Sequence, residues 1–296
     1  MAPEKHPSER LLSPEIEARL TQALLVACLA GIAYLFLQIA MFRYGRDQGI
    51  YAMVAESIRQ GGMPYRDAWD FKPPGIFAVF ALARALFGAS ETGIRLLEIM
   101  GLGSVVVAFA IFAARFFGDF RAGIVAGALA VLVHGELEFW HTAQPESFGG
   151  MLTAWALVLA TFEPREGDAR ARLQQLAAWA IAGACYGAAF LMKPPLGAGA
   201  LASSAFVTWR MLQKSEKRSP LDYALPTLVI GAGSAVPILL CVAWYAARGA
   251  LGDLYEAIFV FAPHYTKLSW EGASVLGAVY LAFEEWFVDL SGPTAA

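Results

Sequence analysis

Apolar residues run through this chain in long blocks separated by short polar stretches. The first block, residues 21–42, carries no charge along its whole length. A helix that crosses the hydrocarbon core of a bilayer needs about 20 consecutive apolar residues. A secretory signal has a shorter apolar region and a small-residue cleavage site, so residues 21–42 predict a retained anchor helix. Six further stretches predict helices at 95–114, 122–138, 147–162, 174–192, 195–211 and 223–246. Another stretch, residues 73–88, is short and contains Arg84. Runs of about 10–14 apolar residues more often lie along an interface than cross it. The expected fold is therefore an all-α polytopic membrane protein with seven transmembrane helices. Residues 272–290, broken by Glu284 and Glu285, are a candidate eighth.

Charge gives the pattern a direction. If residues 73–88 stay on one side and the N-terminus is cytoplasmic, the inner segments carry Lys5, Arg10, Arg19, Arg115, Arg121, Arg165, Arg170, Arg172, Arg210, Lys214, Lys217 and Arg218. These are more than half of the 22 Lys and Arg residues, whereas the turn at 139–146 has none. Letting 73–88 cross would turn the basic 210–222 segment outward, against the positive-inside tendency. The expected organisation is a cytoplasmic tail (1–20), a transmembrane domain (21–246) with a long outer loop at 43–94, and a terminal segment (247–296). That last segment starts as a polar-aromatic loop and ends abruptly in Ser-Gly-Pro-Thr-Ala-Ala.

Composition agrees. Hydrophobic residues make up 58% of the chain and charged ones 16%, and a soluble domain has roughly a quarter charged. A net charge of −3 leaves no basic footprint for nucleic acid. The three cysteines lie inside apolar blocks without metal-ligand spacing and read as buried small hydrophobes.

On this topology the unusual polar residues gather at the outer face. Asp47 follows the first span, and Tyr51, Val54, Ala55 and Ile58 then repeat at helical spacing. They predict an amphipathic helix on the membrane surface, closed by Gly61-Gly62, with Asp47 at its start. Asp47 reads either as a helix cap or as a carboxylate that takes a proton from a substrate hydroxyl. In Phe-Lys-Pro-Pro-Gly (71–75), Lys72 precedes a helix start, where the macrodipole favours an anion. A bound phosphate would reconcile the two, although a lysine reaching to the interface is the simpler reading. The arrangement recurs around Lys193 in Met-Lys-Pro-Pro-Leu-Gly. A third cluster holds His134, Glu136, Glu138, His141, Gln144 and Glu146. Ionisable groups at membrane depth are costly and mark sites by default. His134 and Glu138, four residues apart, could face one cavity, but the spacing matches no zinc signature. His264 and Tyr265 are a weaker candidate in the last outer segment. Arg95 and Glu98 form a structural i, i+3 pair, and Pro237 reads as a kink.

The order Asp-Gln-Gly-Ile-Tyr-Ala (47–52), Gly-Gly-Met-Pro-Tyr-Arg-Asp (61–67) and Phe-Lys-Pro-Pro-Gly (71–75) resembles the first outer loop of the polyprenyl-phosphate-dependent sugar transferases of GT-C architecture. These include the protein O-mannosyltransferases, the lipid A aminoarabinose transferases and related enzymes acting on lipopolysaccharide cores. The stretches around 135–148 and 190–199 are similar to later outer motifs. The resemblance implies a GT-C-like fold in the plasma (inner) membrane, and transfer of a hexosyl or pentosyl unit from a polyprenyl-phosphate carrier to a lipid, glycan or protein acceptor at the extracytoplasmic face. Asp47 would be the catalytic base. Lys72 and Lys193 would hold the carrier phosphate, with Tyr51, Tyr65, Asp67, His141, Glu146 and Tyr265 as further substrate-binding candidates. Lysine and helix N-termini can stabilise a phosphate leaving group, so no cofactor is required and a divalent metal is not predicted. Gln48 stands where the family often has Glu, and relatives continue through further spans, so the chain is expected to be a fragment, a truncated gene product or a shortened member without activity. The alternatives are a carrier or flippase for lipid-linked substrates and an inactive family member.

Overall fold

The computed structural model describes residues 13–164, 170–214 and 219–269, with isolated positions between 274 and 284. Most of the candidate eighth span, the first 12 residues, and Arg165, Lys217 and Arg218 lie outside the described residues. The described part is helical. Its one β-type contact is an isolated bridge between Pro64 and Ala68.

Each expected helix forms, with ends displaced by a few residues. Helix α1 (Pro14–Met41) begins earlier than the apolar run, because Ser13 accepts from the backbone N–H of Ile16 and Pro14 suits the first turn. Helices α4 (Glu91–Phe117) and α5 (Phe120–Glu136) follow, then a short turn of helix α6 (Glu138–His141). Helices α7 (Pro145–Ala160) and α8 (Ala171–Met192) come next. A 3₁₀ turn at Pro194–Ala198 leads into α9 (Gly199–Gln213), and α10 spans Pro220–Ala247. Four of these, α1, α4, α8 and α10, are long and apolar enough to cross a membrane. Helix α10 opens on a capping box between Ser219 and Asp222 and runs through Pro226 and Pro237 as one element.

Within the 43–94 segment two helices dock on each other as a hairpin. Helix α2 (Arg46–Arg59) buries Tyr51, Ala52, Val54 and Ala55 against Ile76, Phe77 and Phe80 of α3 (Gly75–Phe87). Arg84 on α3 meets Glu56 on α2 at 2.8 Å. At 13 residues, α3 is about 20 Å long, short of a hydrocarbon core about 30 Å thick. The terminal segment differs from expectation. Residues 251–269 are helical: α11 (Leu251–Tyr255), a π turn (Glu256–Phe261) and α12 (Ala262–Ser269). Leu254, Ala257 and Ile258 recur at helical spacing and pack on the core, which draws this stretch into a helix.

Glycine makes the helix contacts close. A Cβ on Gly123 would strike the backbone of Phe109 and Ala110, and one on Gly127 would meet Val106, so α4 and α5 run antiparallel. Gly183 and Gly187 lie against the carbonyls of Ile230 and Ser234, so α8 and α10 run parallel. Small residues four apart allow such approach in membranes, where apolar burial between helices gains little. Gly183→Val is expected to destabilise the protein by about 3 kcal/mol, because it drives a side chain into backbone that cannot move aside. A lowered thermal midpoint in detergent micelles would report it, and an unchanged midpoint would refute this seam.

The helices alternate in direction, so their ends segregate. Asp47, Lys72, the 138–146 turn, Lys193 and Arg248 share one end, while Arg115, Glu163, Arg210 and Lys214 lie at the other.

Candidate active site

Helix α2 is capped by Gly45, not by Asp47, which stands inside the first turn. A carboxylate there is favoured by the helix dipole. The Asp47 side chain is 32% exposed and meets Arg46 at 3.5 Å.

The next residue explains how the turn beyond α5 is held. Gln48 is fully buried, and its amide nitrogen lies 2.8, 3.2 and 2.7 Å from the carbonyl oxygens of Phe139, Trp140 and Thr142. A glutamate would place an acceptor against three acceptors, so glutamine suits this contact. Gln48 thus works as a staple between α2 and the 139–142 turn.

A buried charge cluster at the start of α4 braces the same turn. Arg95 and Glu98 are both fully buried and pair at 3.0 Å. Arg95 also donates to the Thr142 hydroxyl and the Arg43 carbonyl, each at 2.9 Å. Glu98 accepts a short hydrogen bond from the Ala143 backbone N–H and contacts His134 Nε2 at 2.9 Å. His134 and Glu138 therefore do not face one cavity. His134 turns inward to Glu98, while Glu138 is exposed and takes a left-handed backbone (φ 54°) that opens the turn. Among the described residues, no group of three His, Cys, Asp or Glu side chains gathers as a metal site.

The two Lys-Pro-Pro segments meet in space. A methyl group on Gly75 would lie 2.7 Å from the Leu191 carbonyl and 2.9 Å from the Met192 sulfur, so the start of α3 abuts the end of α8 just before Lys193. Lys72 lies over the Phe71 ring with Nζ 5.4 Å from its centroid, and its carbonyl accepts from the Tyr65 hydroxyl at 2.8 Å. Lys193 forms a close ion pair with Glu146, both side chains half-exposed.

Two adjoining hollows share the wall made by Arg46, Asp47 and Lys72. The larger, about 710 Å³, adds Trp69, Asp70, Phe71 and Tyr265. The smaller, about 630 Å³, adds Trp140, His141, Gln144 and Glu146. Of the residues expected from the sequence, Asp47, Lys72, His141, Glu146 and Tyr265 come together here, with Lys193 attached through Glu146. Tyr51, Tyr65 and Asp67 line neither hollow. Tyr51 is fully buried and donates to Gln144 at 2.9 Å, Tyr65 is buried against Phe77 and Tyr245, and Asp67 accepts from the Met63 N–H and pairs with Arg66. These three shape the scaffold.

Asp70 and Trp69 were missed by the sequence reasoning. Asp70 is only 8% exposed. Burial raises its pKa above the ordinary carboxylate value and the Asp47 charge adds to the rise, whereas the N–H groups of Phe71 and Lys72 and the Lys72 charge oppose it. Its signal was a second acidic residue two positions before Lys72.

The family model for dolichyl-phosphate-mannose-protein mannosyltransferases matches residues 71–244, more than half of the chain. The chain belongs to this family. It is thus a membrane glycosyltransferase by family, and the kind of partner is a lipid-linked sugar donor. The matched stretch includes Lys72, His141, Glu146 and Lys193, while Asp47 and Tyr265 lie outside it. No curated protein and no solved structure matches the chain.

Proposed function

We propose that this mannosyltransferase-family protein moves a sugar from a polyprenyl-phosphate carrier to an acceptor hydroxyl at the extracytoplasmic face of the plasma membrane. The observation that carries this reading is the shared wall: Asp47 and Lys72 border both hollows at one end of the helix array. One substrate can approach from each side. Asp47 takes the proton of the acceptor hydroxyl as its oxygen bonds to the anomeric carbon. The bond from that carbon to the phosphate oxygen breaks, and the phosphate leaves with the electron pair. Lys72 and Lys193 stabilise the charge that gathers on the phosphate. Glu146 holds Lys193 in place, and His141 lines the donor side.

The test is reconstitution of the full chain in liposomes with a radiolabelled polyprenyl-phosphate mannose. Transfer of label to endogenous glycans or peptides in added membranes supports the reading. Translocation of the intact donor without transfer would make the protein a carrier, and absence of donor binding would leave it an inactive family member.

In the proposed orientation α1, α4, α5, α7, α8, α9 and α10 cross the membrane, with the N-terminus in the cytoplasm. The segregation of Lys214 and Arg210 from Asp47 supports it. A single cysteine at Lys214 is expected to react with a membrane-impermeant maleimide only from the cytoplasmic side. Labelling of intact cells from outside would reverse the assignment.

A further inference from the structure

Once the shared wall is set aside, the two hollows differ in chemistry. The smaller keeps His141, Glu146 and, through Glu146, Lys193. Neither keeps a Lys or Arg of its own in its lining, but the larger is built mainly of rings: beyond the shared wall it has Ile50, Trp69, Asp70, Phe71, Tyr265 and Thr266.

Its aromatic side chains are held by one another rather than by burial. Trp69 and Tyr265 are each 47% exposed. Trp69 packs edge-on to Phe261 with centroids 4.7 Å apart, Phe71 meets Tyr265 at 4.8 Å, and Phe261 stacks on Tyr265 at 6.1 Å. These contacts tie the loop before α3 to α12 and fix ring faces with few torsions left to freeze on binding. Asp70, nearly buried beside them, offers carboxylate oxygens that accept hydrogen bonds. Apolar ring faces next to an acceptor match a pyranose, which presents C–H faces and a rim of hydroxyl donors.

We propose that the larger hollow is the acceptor subsite and that the acceptor is itself a carbohydrate, with Trp69 and Tyr265 as the platform and Asp70 receiving ring hydroxyls. The proposal rests on the transferase reading, in which the anionic donor takes the smaller hollow and the acceptor must touch Asp47 from the other side. An extended peptide would gain most by pairing with an exposed strand edge, and the described residues form none.

Saturation-transfer difference NMR on the full chain in detergent micelles tests this without requiring turnover. The probes are trisaccharides of mannose, glucose and galactose and a serine/threonine-rich peptide of similar mass. At least one trisaccharide is expected to bind wild type, and Trp69→Ala is expected to weaken it about tenfold, the loss of one aromatic contact. Trp69→Phe, which keeps a ring face and guards against misfolding, should retain most of the binding. Lys193→Ala and saturating decaprenyl phosphate should leave it unchanged. Displacement by decaprenyl phosphate would show that the bound sugar sits on the donor side and would overturn the proposal. So would peptide binding in place of sugar, undiminished binding in Trp69→Ala, or no sugar binding at all. Failure of transfer in the liposome assay with sugar binding intact would instead remove the transferase reading and with it the acceptor role, and leave the larger hollow a carbohydrate-binding site.

Discussion

Asp47→Asn is expected to lower sugar transfer by about 10²–10⁴-fold while the carrier lipid still binds. The amide has nearly the shape of the carboxylate but cannot take the acceptor proton. Little else should change, because Asp47 is part-exposed and pairs with Arg46 only at a long 3.5 Å. A loss of kcat with donor affinity intact would separate this role from that of Lys72, whose replacement by glutamine should weaken donor binding first. Transfer within twofold of wild type would remove Asp47 from the mechanism. Asp70→Asn is the necessary companion, because Asp70 borders the same hollow. Loss of transfer in that variant alone would reassign the base to Asp70.

Glu98→Ala is expected to cost about 3–5 kcal/mol of stability, the range for removing one partner of a buried ion pair. Glu98 receives Arg95, His134 and the Ala143 N–H in a fully buried position. Without it the Arg95 charge is left buried with the Thr142 hydroxyl, the Arg43 carbonyl and the face of the Phe42 ring, and no counter-charge from Glu98. Replacing both residues, as Arg95→Met with Glu98→Leu, should cost less than the single change, because no unpaired charge remains. Thermal unfolding of the three proteins in one detergent provides the comparison. A midpoint for Glu98→Ala equal to wild type would show that the cluster does not hold the fold. The single variant should also loosen the turn bearing His141 and Glu146, so donor binding should weaken with stability.

The helices were legible because their signals are local. An uncharged run the length of a bilayer becomes a helix whatever surrounds it, since unpaired backbone polar groups cannot be left in lipid. The short run at 73–88 was readable as a helix in the same way, and α3 forms there over 13 residues. Ser13 and Pro14 lengthened α1 through capping that hydropathy does not register. Residues 251–269 were read as a loop because their polar-aromatic composition hid a helical spacing that only docking on the core rewards.

The amino-acid sequence by itself determined the helical class, the position of most helices and the resemblance carried by the motifs around Asp47 and Lys72. It also showed Arg95 and Glu98 as a pair, because i, i+3 spacing is a property of one helix. Only the tertiary structure decided that this pair braces a turn 45–47 residues further on. The same is true of Gln48, whose three carbonyl partners belong to another segment. Tyr51 and Tyr65, conspicuous in the motif, turned inward, whereas Asp70 and Trp69 reached the hollow. Which way a side chain faces depends on the neighbours that bury it, and those neighbours lie far away along the chain.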